Sequence, residues 1–145
     1  MKQFLGIVFF VFFGSLQAQE WQNSFDEAVT LANAEDKPIV LVFSGSDWCA
    51  PCIRLKKQIL ESEEFKAYAS EHYVMYNADF PRKKKNELPQ ALEETNTSLA
   101  EKYNPKGHFP LVVVLDKHQS VLGKTGFNVR TMPKKYISIL NGFIQ

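Results

Sequence analysis

The chain has 145 residues, a formal net charge of +1 and 45% hydrophobic residues. That length supports one domain whose core needs no extra staples, and the composition is that of a globular protein. The near-balance of charge removes any general case for nucleic-acid or membrane-surface binding.

Met1-Lys2-Gln3 is a short positive start. Phe4 to Leu16 is an apolar run broken only by small residues, and Ala18 offers a small residue at a cleavage point before Gln19. Residues 1–18 therefore read as a secretory signal peptide and 19–145 as the mature domain. The run is short for a membrane span, which leaves an uncleaved anchor as the alternative. No cysteine stands at the cleavage point to carry a lipid. The expected location is exported, periplasmic or secreted, an oxidising compartment in which disulfide chemistry has clients.

Ser24-Phe25-Asp26-Glu27 has the form of a capping box, and Phe25, Ala28, Val29 and Ala32 recur at helical spacing until Lys37-Pro38 ends the pattern. A first amphipathic helix is predicted. Ile39 to Phe43 is a continuous β-branched and apolar run, as expected of a central strand covered on both faces. Ser44-Gly45-Ser46 makes the exposed loop that follows.

That loop leads into Trp48-Cys49-Ala50-Pro51-Cys52, which holds both cysteines of the protein. A helix opening at Cys49 directs its unpaired N–H groups and the positive end of its dipole at that sulfur and favours the thiolate, the nucleophilic form. Cys52, one turn further on, lies on the same helical face, near enough to close a disulfide and expected to be the less exposed of the two. Cys49 is thus the predicted attacking cysteine and Cys52 the resolving one, while Pro51 suits a first helical turn. Half of a zinc site is a weaker reading, because no second cysteine pair exists and three scattered histidines replace it poorly. A purely structural bridge is weaker too, because so short a loop constrains little of the unfolded chain. Redox chemistry explains the pair better, and neither a metal nor a cofactor is expected.

At these residues the chain resembles the thioredoxin family, whose Trp-Cys-Gly-Pro-Cys is matched with Ala50 in place of the glycine. The resemblance extends from about Trp21 to the C-terminus. It implies a thioredoxin-like α/β fold, a central mixed sheet with helices on both faces. It also implies that an X-Pro bond opening a later strand is cis and faces the disulfide. Many thioredoxins carry a buried acid in the strand before the motif, thought to accept the resolving cysteine's proton. Here that strand offers only Val42 and Phe43 at the two possible alignments. Asp47, the nearest carboxylate, reads as a solvated loop residue or local cap, and would disfavour a thiolate if it approached Cys49.

Ile53, Leu55, Ile59 and Leu60 continue the helix, with a break expected near Glu61 and a new start at Ser62-Glu63-Glu64 carrying Phe65, Tyr68 and Ala69. Tyr73 to Ala78 is the next predicted strand. The segment from Phe80 to Lys106 is longer than a minimal thioredoxin needs. It opens with the basic cluster Arg82-Lys83-Lys84-Lys85 and continues as a crossover helix through Leu88, Leu92, Leu99 and Tyr103. If the two strands are parallel, the cluster falls on the active-site side of the sheet, where it is either a solvated loop or a means of steering acidic partners. Phe109-Pro110 precedes the buried-type strand Leu111 to Leu115, so the resemblance places both residues beside the disulfide as supporting residues with Trp48 and Pro51. His108, next to them, reads as a loop histidine or a modulator of Cys49. Val121 to Lys124 forms a hairpin partner, Gly126 a bulge or corner, and Pro133 opens a last helix through Ile137, Leu140, Phe143 and Ile144.

The expected function is a thiol–disulfide oxidoreductase acting on protein disulfides or dithiols, with protein clients and a redox partner that recycles the pair, and no nucleic acid. The alternative is a client-binding module of the same fold with a regulatory disulfide. Direction depends on the relative stability of dithiol and disulfide, where ~30 mV is only ~1.4 kcal/mol.

Overall fold

Six consecutive buried residues, Ile39–Ser44, form β1 at the centre of the sheet. A computed structural model describes residues 20–145, and the segment read as a signal peptide lies outside the described residues. β1 pairs in parallel with β2 (Val74–Asp79) and antiparallel with β3 (Leu111–Leu115), which in turn pairs antiparallel with β4 (Val121–Thr125). The order β2-β1-β3-β4 is the mixed sheet expected.

Strand alternation divides the core into two layers. Val40 and Val42 pack with Met75, Val112 and Val114 under one set of helices: α2 (Ala50–Leu55) with the π-helical turn Lys56–Leu60 that prolongs it, α3 (Glu63–His72), and α5 (Pro133–Ile144). Ile39, Leu41 and Phe43 pack with Val74, Tyr76 and Val113 under α1 (Phe25–Glu35) and α4 (Gln90–Tyr103). Helices therefore cover both faces, as predicted.

Local chemistry sets the boundaries. Ser24 Oγ accepts from the N–H of Glu27, whereas the Glu27 carboxylate accepts from the N–H of Asn23 rather than closing the box on Ser24. Ser62 Oγ accepts from the N–H of Phe65 and starts α3 after the turn at Glu61, where the break was expected. α4 begins later than its apolar spacing suggested. Leu88 precedes Pro89, and a residue before proline is pushed out of helical geometry, so the first helical residue is Gln90. In α5, Tyr136 is buried with Ile137 and Leu140, whereas Ile144 is exposed. Gly126 stands at the corner after β4, where its carbonyl accepts from the Tyr136 hydroxyl at 3.0 Å, and the strand irregularity lies at Val114/Leu115 instead. No helix among the described residues is long and apolar enough to cross a membrane.

Candidate active site

β1 and β2 run parallel and end at the same edge of the sheet, so the loops leaving Ser44 and Asp79 lie side by side. Two carboxylates tie them together in opposite directions. Asp79, at the end of β2, accepts from the Ser46 N–H at 2.8 Å and from the Ser46 hydroxyl, fixing the loop that enters the motif. Asp47, in that loop, accepts from the N–H groups of Arg82 and Lys83 and from Asn86 Nδ2, each at 2.9 Å, fixing the loop that leaves β2. Those three bonds stabilise the ionised form, the Arg82 N–H contributing most, and hold the Asp47 carboxyl down at about 2 from an ordinary 3.8. Asp47 is thus the cap of the basic loop.

The linkage has a testable sign. A depressed carboxyl pKa contributes stability above the unfolded value near pH 4, and this is lost as pH falls through about 2. Asp47→Asn should therefore be less stable than the parent at neutral pH, with the difference closing between about pH 4 and pH 2. Denaturant unfolding of both proteins across that range checks this, and a pH-independent difference would contradict it.

Cys49 occupies the N-cap of α2, and its sulfur accepts from the Cys52 N–H at 3.3 Å. The two sulfurs form a disulfide with Cα atoms 5.2 Å apart. The expected difference in exposure is absent, since each cysteine is 4% exposed. What distinguishes them is surroundings. Cys49 sits at the helix terminus, whereas Cys52 lines a groove of about 550 Å³ with Trp21, Val42, Ser44, Asn77 and Pro110. Pro51 lies in the first turn of α2, exposed.

Aromatic packing holds the rest of the site. The Trp48 indole N–H donates to the Phe80 carbonyl at 2.7 Å, and Phe109 meets both Trp48 and Phe80 edge-on at 5.4 and 5.6 Å. Gly45 is required beneath Trp48, because a Cβ there would lie 2.2 Å from the indole. The Phe109–Pro110 bond is cis, as the resemblance implied. The turn before it is held by Asn104, buried at the end of α4, which donates to the His108 carbonyl and accepts from the His108 N–H at 2.9 Å each. The His108 side chain itself is exposed, as are His72 and His118.

Two site-supporting residues escaped sequence reasoning. Buried Asn96 bridges the Tyr76 hydroxyl at 2.7 Å and the Asp79 carbonyl at 3.1 Å, linking α4 to the active end of β2. Asn104 does the corresponding work at Pro110. Neither differs in sequence from a surface asparagine on a helix. No group of histidine, cysteine and carboxylate residues suited to a metal ion occurs among the described residues.

Residues 20–117 match the family profile described as thioredoxin-like. The chain belongs to the thioredoxin-like family. Among curated thioredoxin-like relatives, it is 40% identical over 108 residues to the disulfide bond reductase DsbH of Chlamydia pneumoniae, covering 74% of this chain and 63% of that protein. It is 25% identical over 108 residues to the thioredoxin-related protein DsbJ of the same organism, covering 73% of this chain and 30% of that one. The matched segment is therefore less than two thirds of either relative's length. A solved structure of a DsbH oxidoreductase superposes with a TM-score of 0.81 at 31% identity, over 99% of this chain and 94% of that one.

Proposed function

We propose that this thioredoxin-like protein is an exported thiol–disulfide oxidoreductase that works in the reducing direction. The observation that carries the oxidoreductase reading is Cys49 at the helix N-cap with the Cys52 N–H on its sulfur. In the reduced protein the Cys49 thiolate attacks a client disulfide, forming a mixed disulfide and releasing one client thiol. The Cys52 thiolate then attacks Cys49 Sγ, the client leaves as its second thiol, and two electrons have passed from the pair to the client. A separate dithiol donor resets the Cys49–Cys52 disulfide. Trp48, Pro51, Phe109 and Pro110 frame the approach to the sulfurs.

The 40% identity to a protein named a disulfide bond reductase supports the direction. The apolar segment Phe4 to Leu16 supports export. The test is turnover of a protein disulfide by catalytic amounts of this protein, with a small dithiol as the electron source. Many turnovers per molecule are expected. Tight client binding without turnover would favour a client-binding module whose disulfide is regulatory.

A further inference from the structure

The four consecutive cations Arg82-Lys83-Lys84-Lys85 are all exposed, and none forms a salt bridge with a carboxylate among the described residues. A solvated loop of this kind ordinarily wanders, but this one is fixed at the site. Asp47, two residues before Cys49, holds the N–H groups of Arg82 and Lys83 and the Asn86 amide. The Arg82 guanidinium carbon lies 3.7 Å from the centroid of the Trp48 ring, the residue adjoining Cys49. The loop also borders a cleft of about 370 Å³ lined by Phe80, Arg82, Lys83, Lys84 and Leu88.

Four acids, Asp47, Asp79, Glu87 and Glu93, lie near the loop, so the lip acts through the position of its four exposed cations and not through a net charge. The carboxylate oxygens of Asp47 and Asp79 are taken up by the neutral loop donors already described, and at the cleft Glu87 and Glu93 stand with Arg82, Lys83 and Lys84, Lys85 following in sequence. A fixed cationic lip beside a nucleophilic sulfur favours a partner of opposite charge.

We propose that Arg82–Lys85 is a recognition surface for client segments whose cysteines are flanked by acidic residues. This deepens the reductase reading and rests on it. Carboxylates of the client pair with the lip during encounter, bringing the client disulfide toward Cys49. The benefit lies in association and weakens as salt shortens the screening length to ~8 Å at physiological ionic strength.

The experiment uses the protein freshly reduced with dithiothreitol and three synthetic peptides, each with one disulfide flanked by acidic, amide or basic residues. Second-order reduction rates are measured at low and physiological salt for the parent, for K83Q/K84Q/K85Q and for K84E/K85E. The parent should reduce the acidic peptide roughly tenfold faster than the amide peptide at low salt, at the lower end of electrostatic steering. That ratio should shrink with salt, approach one in the glutamine variant and fall below one in the charge-reversed variant. Equal rates for all three peptides in the parent, or a ratio unchanged in both variants, would overturn the inference and leave the reductase reading intact. Failure to reduce any peptide would overturn both.

Discussion

Cys52→Ser should convert the protein from a catalyst into a trap. Cys49 remains at the helix terminus, where one N–H donor and the dipole favour its thiolate, so attack on a client proceeds. The serine hydroxyl cannot displace the client from Cys49. Mixed disulfides should accumulate, turnover should fall to the uncatalysed rate, and non-reducing gels after thiol trapping should show the adducts on Cys49. Cys49→Ser should show neither turnover nor adducts, because Cys52, as buried as Cys49, lies within α2 and lacks the terminal position. Adducts on Cys52 in the Cys49→Ser protein would reverse the assignment.

The second large effect concerns the proton on Cys52. An ordinary thiol pKa near 8.5 leaves only a small thiolate fraction at neutral pH, and the strand before the motif has no acid to accept the proton. The two alignments open in sequence are separated by strand alternation. Val42 faces the groove that Cys52 lines, whereas Phe43 points into the opposite core layer. The carboxylate of the groove's own lining is Glu61, half exposed and 3.6 Å from Lys56. In the parent, release of the mixed disulfide should therefore rise steeply with pH, approaching tenfold per unit below the thiol pKa. Val42→Asp places a base beside Cys52 with Ser44 and Asn77 as polar neighbours. It should flatten that dependence and speed release at about pH 6 by tenfold or more.

Phe43→Asp should instead fail to fold. Truncating a buried Phe alone costs about 3–5 kcal/mol, and burying an unpaired carboxylate adds to this, against a total stability of about 5–15 kcal/mol. Rapid thiol trapping of a preformed mixed disulfide across pH measures release, and circular dichroism reports folding. A folded Val42→Asp protein with the parent's pH slope would contradict the assignment of Val42 as the position beside Cys52.

Elements built on strong local signals were legible in the sequence. The unbroken β-branched and apolar run 39–43 carried the signature of a strand covered on both faces. The cysteine spacing set the helix start, and the parallel relation of β1 and β2 put the basic loop at the active edge. What was not legible depends on tertiary contact. Cys49 and Cys52 are equally buried, which their positions along α2 do not announce. Asp47 could have been a repellent charge next to Cys49, and only the return of the chain at Arg82 and Lys83 makes it a cap. Asn96 and Asn104 are buried because β2 and the Pro110 turn supply their partners, and nothing local to α4 announces this.

The most direct measurement is the reduction potential of the Cys49–Cys52 pair, by equilibration with glutathione buffers. Ala50 and Pro51 bring no charge between the sulfurs, and the helix terminus is the stabilisation Cys49 receives from its own segment. The dithiol is therefore not favoured strongly over the disulfide. The expected potential lies near the ~−270 mV of thioredoxin, poised to donate electrons to client disulfides. A value near the ~−120 mV of strong dithiol oxidants would contradict the reductase reading and make the protein a donor of disulfides.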